Sequence, residues 1–146
     1  MKYEETYVTV EQAKALKRLG FDWECDCLYA KDDEDSDEIE LLPGRELDNY
    51  NRENWATIYC FSAPPLHIAA KWLREVKGIA INVIAHDNEW LRFKYSWNET
   101  YMQNCREKGK QWEEWSIVKH YGAHDIYEAA LSEGITQILK LLEGKI

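Results

Sequence analysis

The stretch Ile79-Ala80-Ile81-Asn82-Val83-Ile84-Ala85-His86, followed by Asp87-Asn88-Glu89 and then by Trp90-Leu91-Arg92-Phe93-Lys94-Tyr95-Ser96-Trp97, has a hydrophobic period of two. Successive side chains on a strand leave opposite faces of the sheet. Ile79, Ile81, Val83 and Ala85 therefore share one face, and Ala80, Asn82, Ile84 and His86 the other. After the polar turn, Leu91, Phe93, Tyr95 and Trp97 alternate with Trp90, Arg92, Lys94 and Ser96. β-Branched and aromatic residues suit a pleated, half-buried surface, so this pattern predicts a β-hairpin. A further strand at about 112–121, with Trp115, Ile117, Lys119 and Tyr121 on one face, extends the hairpin to a three-strand meander. Shorter strands are expected at 26–30 and 55–61.

Helical spacing surrounds this meander. Thr9-Val10-Glu11-Gln12 has the form of a capping box, Val10, Ala13, Leu16 and Leu19 recur at helical intervals, and Gly20 stands where a C-terminal cap belongs. Pro64-Pro65 suits the first turn of a second helix, at about 64–77, with Leu66, Ala69, Leu73 and Val76 as its apolar stripe and Gly78 as its end. Asp125 and Glu128 resemble a capping pair for a third helix at about 126–143, whose broad apolar face holds Tyr127, Ala130, Leu131, Ile135, Ile138 and Leu142. The expectation is an α+β fold: an antiparallel sheet, made of the meander plus one or two short strands, packed by three helices. At 146 residues, a single domain over 1–146 is the expectation; a chain of that size buries roughly 68–70% of its unfolded surface and needs no staples.

Charge is distributed unevenly. Residues 22–53 carry 13 acids against Lys31, Arg45 and Arg52, a net of −10, so the other 114 residues sum to +1 within a total of −9. The part from about 31 to 53 has no hydrophobic period and contains Pro43-Gly44. It reads as an exposed acidic loop. No run approaches the ~18 apolar residues of a membrane span, and no apolar segment of signal-peptide length follows Met1. The expectation is a cytoplasmic protein without membrane association.

Several chemistries are excluded or weakened by spacing. Asp33, Asp35 and Asp37 match the opening ligands of an EF-hand loop, but Glu38 replaces its glycine and Gly44 its closing glutamate. Cys25-Asp26-Cys27 has one residue between thiols where structural zinc sites have two to four, and His120 and His124 straddle Gly122 at a strand end. Buried thiols and an ordinary loop histidine pair are the plainer reading, so no metal and no cofactor is expected. There is no Gly-x-Ser-x-Gly elbow, P-loop or dinucleotide fingerprint. Glu113-Glu114 is a carboxylate pair of the kind any chain with 27 acids contains.

The basic residues are better ordered. His67, Lys71 and Arg74 fall at i, i+4 and i+7, one stripe of the second helix. Trp90, Arg92 and Lys94 share the hairpin face opposite Leu91, Phe93 and Tyr95. Seven Trp, nine Tyr and three Phe make 13% of the chain, and large rings either fill cores or form platforms for planar ligands. Rings alternating with cations are what a base and its phosphate require, with stacking worth ~1–3 kcal/mol per base. An ordinary solvated face, with its rings under a helix, competes with that reading.

The segments Thr9-x-x-Gln12-Ala13-Lys14-x-Leu16-Lys17-x-x-Gly20-Phe21-Asp22, Ser62-Ala63-Pro64-Pro65, Lys71-Trp72-Leu73-Arg74-Glu75 and Tyr127-Glu128-Ala129-Ala130-Leu131 resemble a group of small uncharacterised proteins of gut Bacteroides-type bacteria and their phages. The resemblance covers most of the chain outside the acidic loop, rests on caps and core positions, and supplies no catalytic residue. It implies an accessory protein of a phage or mobile element, acting in the host cytoplasm against a host defence. Three functions stand open. The first is a non-enzymatic module, expected to be a homo-oligomer, that sequesters a nucleotide-like or other planar anionic ligand through Trp90, Arg92, Lys94, His67, Lys71 and Arg74, with no role for long nucleic acid. The second is a protein-interaction module that sets Asp32, Asp33, Glu34, Asp35, Asp37 and Glu38 against a basic host protein. The third is a small hydrolase.

Overall fold

The computed structural model describes residues 5–31, 38–52, 59–86, 92–98, 119–124 and 126–145. The chain is α+β, with three helices and antiparallel strands among the described residues, and it separates into two compact units: Met1–Pro65 with Leu142–Ile146, and Leu66–Leu141.

The first unit begins with helix α1 (Val10–Arg18). Its capping box is closed on both sides. Gln12 N–H donates to Thr9 Oγ1 at 3.2 Å, and Thr9 N–H donates to Gln12 Oε1 at 2.9 Å. At the other end Gly20 adopts φ +92°, Phe21 N–H donates to the Leu16 carbonyl at 2.9 Å and Gly20 N–H to that of Lys17 at 3.1 Å. This pair of bonds is a Schellman motif, and its accompanying apolar contact falls to Phe21 and Leu16, both buried. Burying a side chain of that size contributes roughly 1.5–3 kcal/mol.

Strands β1 (Cys25–Lys31), β2 (Glu40–Asp48) and β3 (Tyr59–Ser62) form an antiparallel sheet in the order β2-β1-β3. β2 corrects the expectation of a loop over 31–53. Leu41 and Leu42 are adjacent and Pro43-Gly44 follows, so no period of two survives in the sequence, yet Glu40 to Pro43 pair in register with Ala30 to Cys27. The next pair is Cys25 with Asp48, which sets Asp26 alone against Gly44, Arg45, Glu46 and Leu47. This wide bulge, and the edge position of β2, are what make a proline tolerable there. Tyr59–Ser62 realises the last part of the strand expected at 55–61, whose earlier residues lie outside the described ones.

A polar turn after β2 is stitched to the sheet. The amide of Asn51 donates from Nδ2 to the Phe21 carbonyl at 2.9 Å, and its Oδ1 accepts from Ser62 N–H at 2.9 Å. Tyr50 N–H donates to Ser62 Oγ at 3.0 Å, and the Cys60 thiol donates to the Tyr50 carbonyl at 3.3 Å. Ser62 is fully buried, so these bonds satisfy groups that water does not reach.

The second unit begins with α2 (Leu66–Val76). It starts two residues later than the double proline suggests, because Pro64 and Pro65 continue as extended chain. Val8 N–H donates to the Pro64 carbonyl at 3.1 Å, and Tyr7 forms a bridge with Pro65. Leu66, Ala69, Trp72 and Leu73 are buried, whereas Val76, expected in the apolar stripe, is exposed at the helix end. Gly78, at φ +75°, reverses the chain into β4 (Ala80–His86), which pairs with β5 (Arg92–Asn98), and β5 pairs with β6 (Lys119–His124). The meander exists as predicted, but as a sheet of its own, and the short strands belong to the sheet of the first unit. Its third strand is Lys119–His124, and 112–118 lie outside the described residues. Helix α3 (Tyr127–Leu142) buries Ala130, Leu131, Gly134, Ile135, Ile138 and Leu139 and leaves Tyr127 exposed. No helix among the described residues is long and apolar enough to cross a membrane.

Candidate anion-binding face

Register determines which positions of the meander share a face. Asn82 is opposite Ser96, Ile84 opposite Lys94 and His86 opposite Arg92, while Ser96 is opposite His120 on the far side. Directly opposed residues of an antiparallel pair belong to the same face. On that face, beyond buried Ala80, Asn82 is exposed and Ile84 is 50% exposed. The other face starts from buried Ile79 and half-buried Ile81 and Val83, and its register positions include Phe93, Tyr95, Trp97 and Tyr121. The face of exposed Asn82 and Ile84 thus carries the register positions of Arg92, Lys94, His86 and His120. In a chain of net charge −9 the three strands carry no acid on either face, and Lys119 and His124 take register positions on the face of Trp97 and Phe93. Arg92 and Lys94 are two residues apart, ~7 Å along a strand, a span over which a planar guanidinium and an ammonium can serve one phosphate or two linked phosphates.

The second basic group lies on α2. His67 and Lys71 are exposed and Arg74 is half-buried, with Arg74 Nη2 at 4.0 Å from Glu75 Oε1, on the side of the helix opposite Leu66, Ala69 and Leu73. These three residues form one stripe, but a separate one, on a different element from Arg92 and Lys94. Trp90, the ring expected beside those two, lies outside the described residues, as do Trp112 and Trp115. Trp72 is buried and contributes a core ring, with Lys77 Nζ 5.4 Å from its centre.

Two thiols of the first unit, Cys25 and Cys60, are buried. Burial pushes the Cys25 thiol up to about 12 and also raises that of Cys60, so both keep their protons. Tyr7, hydrogen-bonded to Cys27 and partly desolvated, is raised likewise. Among the described residues no group of three His, Cys, Asp or Glu side chains could hold a metal ion. The EF-hand-like Asp33, Asp35 and Asp37 lie outside those residues, together with Asp32 and Glu34; Glu38 is exposed just before β2.

Sequence patterning found Arg92 and Lys94 but not His86, His120, Asn82 and Ile84 as companions. The alternation of β4 contained the signal for three of them, since its even positions are the ones that oppose Arg92, Lys94 and Ser96. His120 needed the pairing of β6 with β5, which sets it opposite Ser96 and which alternation within β6 alone does not supply. Compared with protein-family models, curated proteins and solved structures, the chain matches none.

Proposed function

We propose that the protein is a non-enzymatic binding module whose second unit captures a phosphate-bearing small molecule on the Asn82 and Ile84 face of β4–β5–β6. The observation that supports this reading is the register that gives Arg92, Lys94, His86 and His120 the same face as exposed Asn82 and Ile84. Charge-assisted hydrogen bonds to phosphate oxygens are about twice as strong as neutral ones. The exposed Ile84 beside Lys94 offers an apolar surface to the less polar part of a nucleotide. The aromatic positions of β5 are on the other face, so recognition rests on phosphate more than on stacking. The stripe of His67, Lys71 and Arg74 is the secondary anion site. Capture without turnover accords with sequestration, the mode implied by the resemblance to phage accessory proteins.

Isothermal titration with a panel of nucleoside mono-, di- and triphosphates, cyclic dinucleotides and pyrophosphate tests the proposal. At least one of them should bind below millimolar concentration, and Arg92→Glu with Lys94→Glu should abolish that binding while Lys71→Glu leaves most of it. Silence across the panel at millimolar ligand would falsify the reading.

A further inference from the structure

The first unit has an open sheet edge of unusual make-up. β2 pairs with β1 on one side, and among the described residues no strand lies on its other side. Isolated edges are normally blunted by charge, proline or a bulge, because their free N–H and C=O groups template further pairing. Here the proline and the bulge blunt only the second half of the strand. The first half, Glu40-Leu41-Leu42, presents Leu41 at 41% exposure and Leu42 at 40%, one on each face of the sheet, since Leu41 opposes Tyr29 and Leu42 opposes Leu28. Leu47 in the bulge is 64% exposed, and Glu40 and Glu46 bracket the leucines as exposed carboxylates.

We infer that the Glu40–Pro43 edge of β2 accepts an extended, basic segment of another protein by strand addition. Main-chain bonds supply affinity in that mode, and side-chain contacts on alternate positions supply selectivity. A leucine on each face gives apolar contact to an incoming strand whichever way its side chains alternate. The exposed carboxylates of Glu38, Glu40 and Glu46 select the charge of that strand. A second copy is disfavoured, because pairing β2 with itself brings Glu40 and its acidic neighbours beside their equivalents, and like charges across a ladder destabilise it. Pro43 offers no N–H, so the added ladder ends there and the docked segment is short.

The test uses a fluorescein-labelled Lys-Val-Lys-Val-Lys-Val peptide, its Glu-Val counterpart, and a copy N-methylated at alternate amides, which keeps the charge and removes ladder donors. The Lys-Val peptide should raise fluorescence anisotropy with the full-length protein, the Glu-Val peptide should not, and N-methylation should weaken binding at least about tenfold. The double variant Glu40→Lys, Glu46→Lys should weaken it comparably, and amide exchange at Leu41 and Leu42 should slow when the peptide is bound. Equal binding of the N-methylated peptide would show charge attraction alone and overturn the inference. So would absence of binding at millimolar peptide, or sedimentation showing a dimer that Leu42→Glu dissociates.

Discussion

Asn51 shows how much of the first unit hangs on single polar side chains. Its amide satisfies the Phe21 carbonyl and the Ser62 N–H together, joining the end of α1 to β3. Asn51→Ala leaves the N–H of a fully buried residue without its acceptor, a desolvation cost of ~1–3 kcal/mol; urea unfolding should show that loss. Gly44 is constrained from another direction. A Cβ there would overlap the Tyr50 phenol, which is held by its own bond to the Glu46 carbonyl at 2.5 Å. Gly44→Ala should therefore cost ~1–3 kcal/mol by overpacking, and the cost should shrink in a Tyr50→Leu background, where the ring is gone. Cys25 adds a pH dependence. Its thiol is raised from 9.0 to about 12 by burial, so the folded chain holds the proton more tightly than the unfolded chain does. The contribution is complete below the unfolded value and is lost as pH rises from 9.0 to about 12. Denaturation midpoints measured over that range should fall, and fall less in Cys25→Val.

Caps and ladders show which elements their own residues specify. The α1 signals are local, and each is realised as a bond: Thr9 with Gln12 at the start, Gly20 and Phe21 at the end. Thr9→Ala should cost ~1 kcal/mol, and Gly20→Ala, forced to a φ of +92°, about as much; thermal melts of the two single variants check both. The hairpin was legible for the same reason, because a period of two needs only its own residues. β2 was not legible, since a strand with adjacent leucines, a proline and a four-residue bulge is specified by its pairing with β1 and by the packing of Tyr50 on Gly44. The candidate anion face stands between these cases. Alternation placed Arg92 and Lys94 on one face, while their company on β6 required knowing that His120 is the partner of Ser96. The late start of α2 has a similar origin: Pro64 is compatible with a helical first turn, but its carbonyl is taken by Val8.

Over the whole molecule the charge divides along the unit boundary. Met1–Pro65 with Leu142–Ile146 hold 17 acids against 8 bases, a net of −9, whereas Leu66–Leu141 hold 10 of each. One unit carries all the excess anionic charge, and the neutral one carries the proposed phosphate face. Salt should consequently act with opposite signs on folding and on binding. The first unit repels itself, and its described ion pairs do not offset that: Arg18 grips Glu143 at 2.6 Å and 3.1 Å, but Arg18 is half exposed, and exposed pairs contribute only ~0–1 kcal/mol. Raising ionic strength shortens the screening length from ~30 Å at 0.01 M to ~8 Å at 0.15 M, which relieves repulsion among acids spread along the unit more than it weakens a pair in direct contact. The melting temperature of the free protein should therefore rise over that interval. Binding of pyrophosphate to the second unit should weaken over the same interval, because attraction between Arg92, Lys94 and an anion is screened too. Melts and titrations at matched salt concentrations measure both slopes. A melting temperature that falls with salt would mean that the ion pairs outweigh the repulsion, and binding that is indifferent to salt would remove the cations from the proposed site.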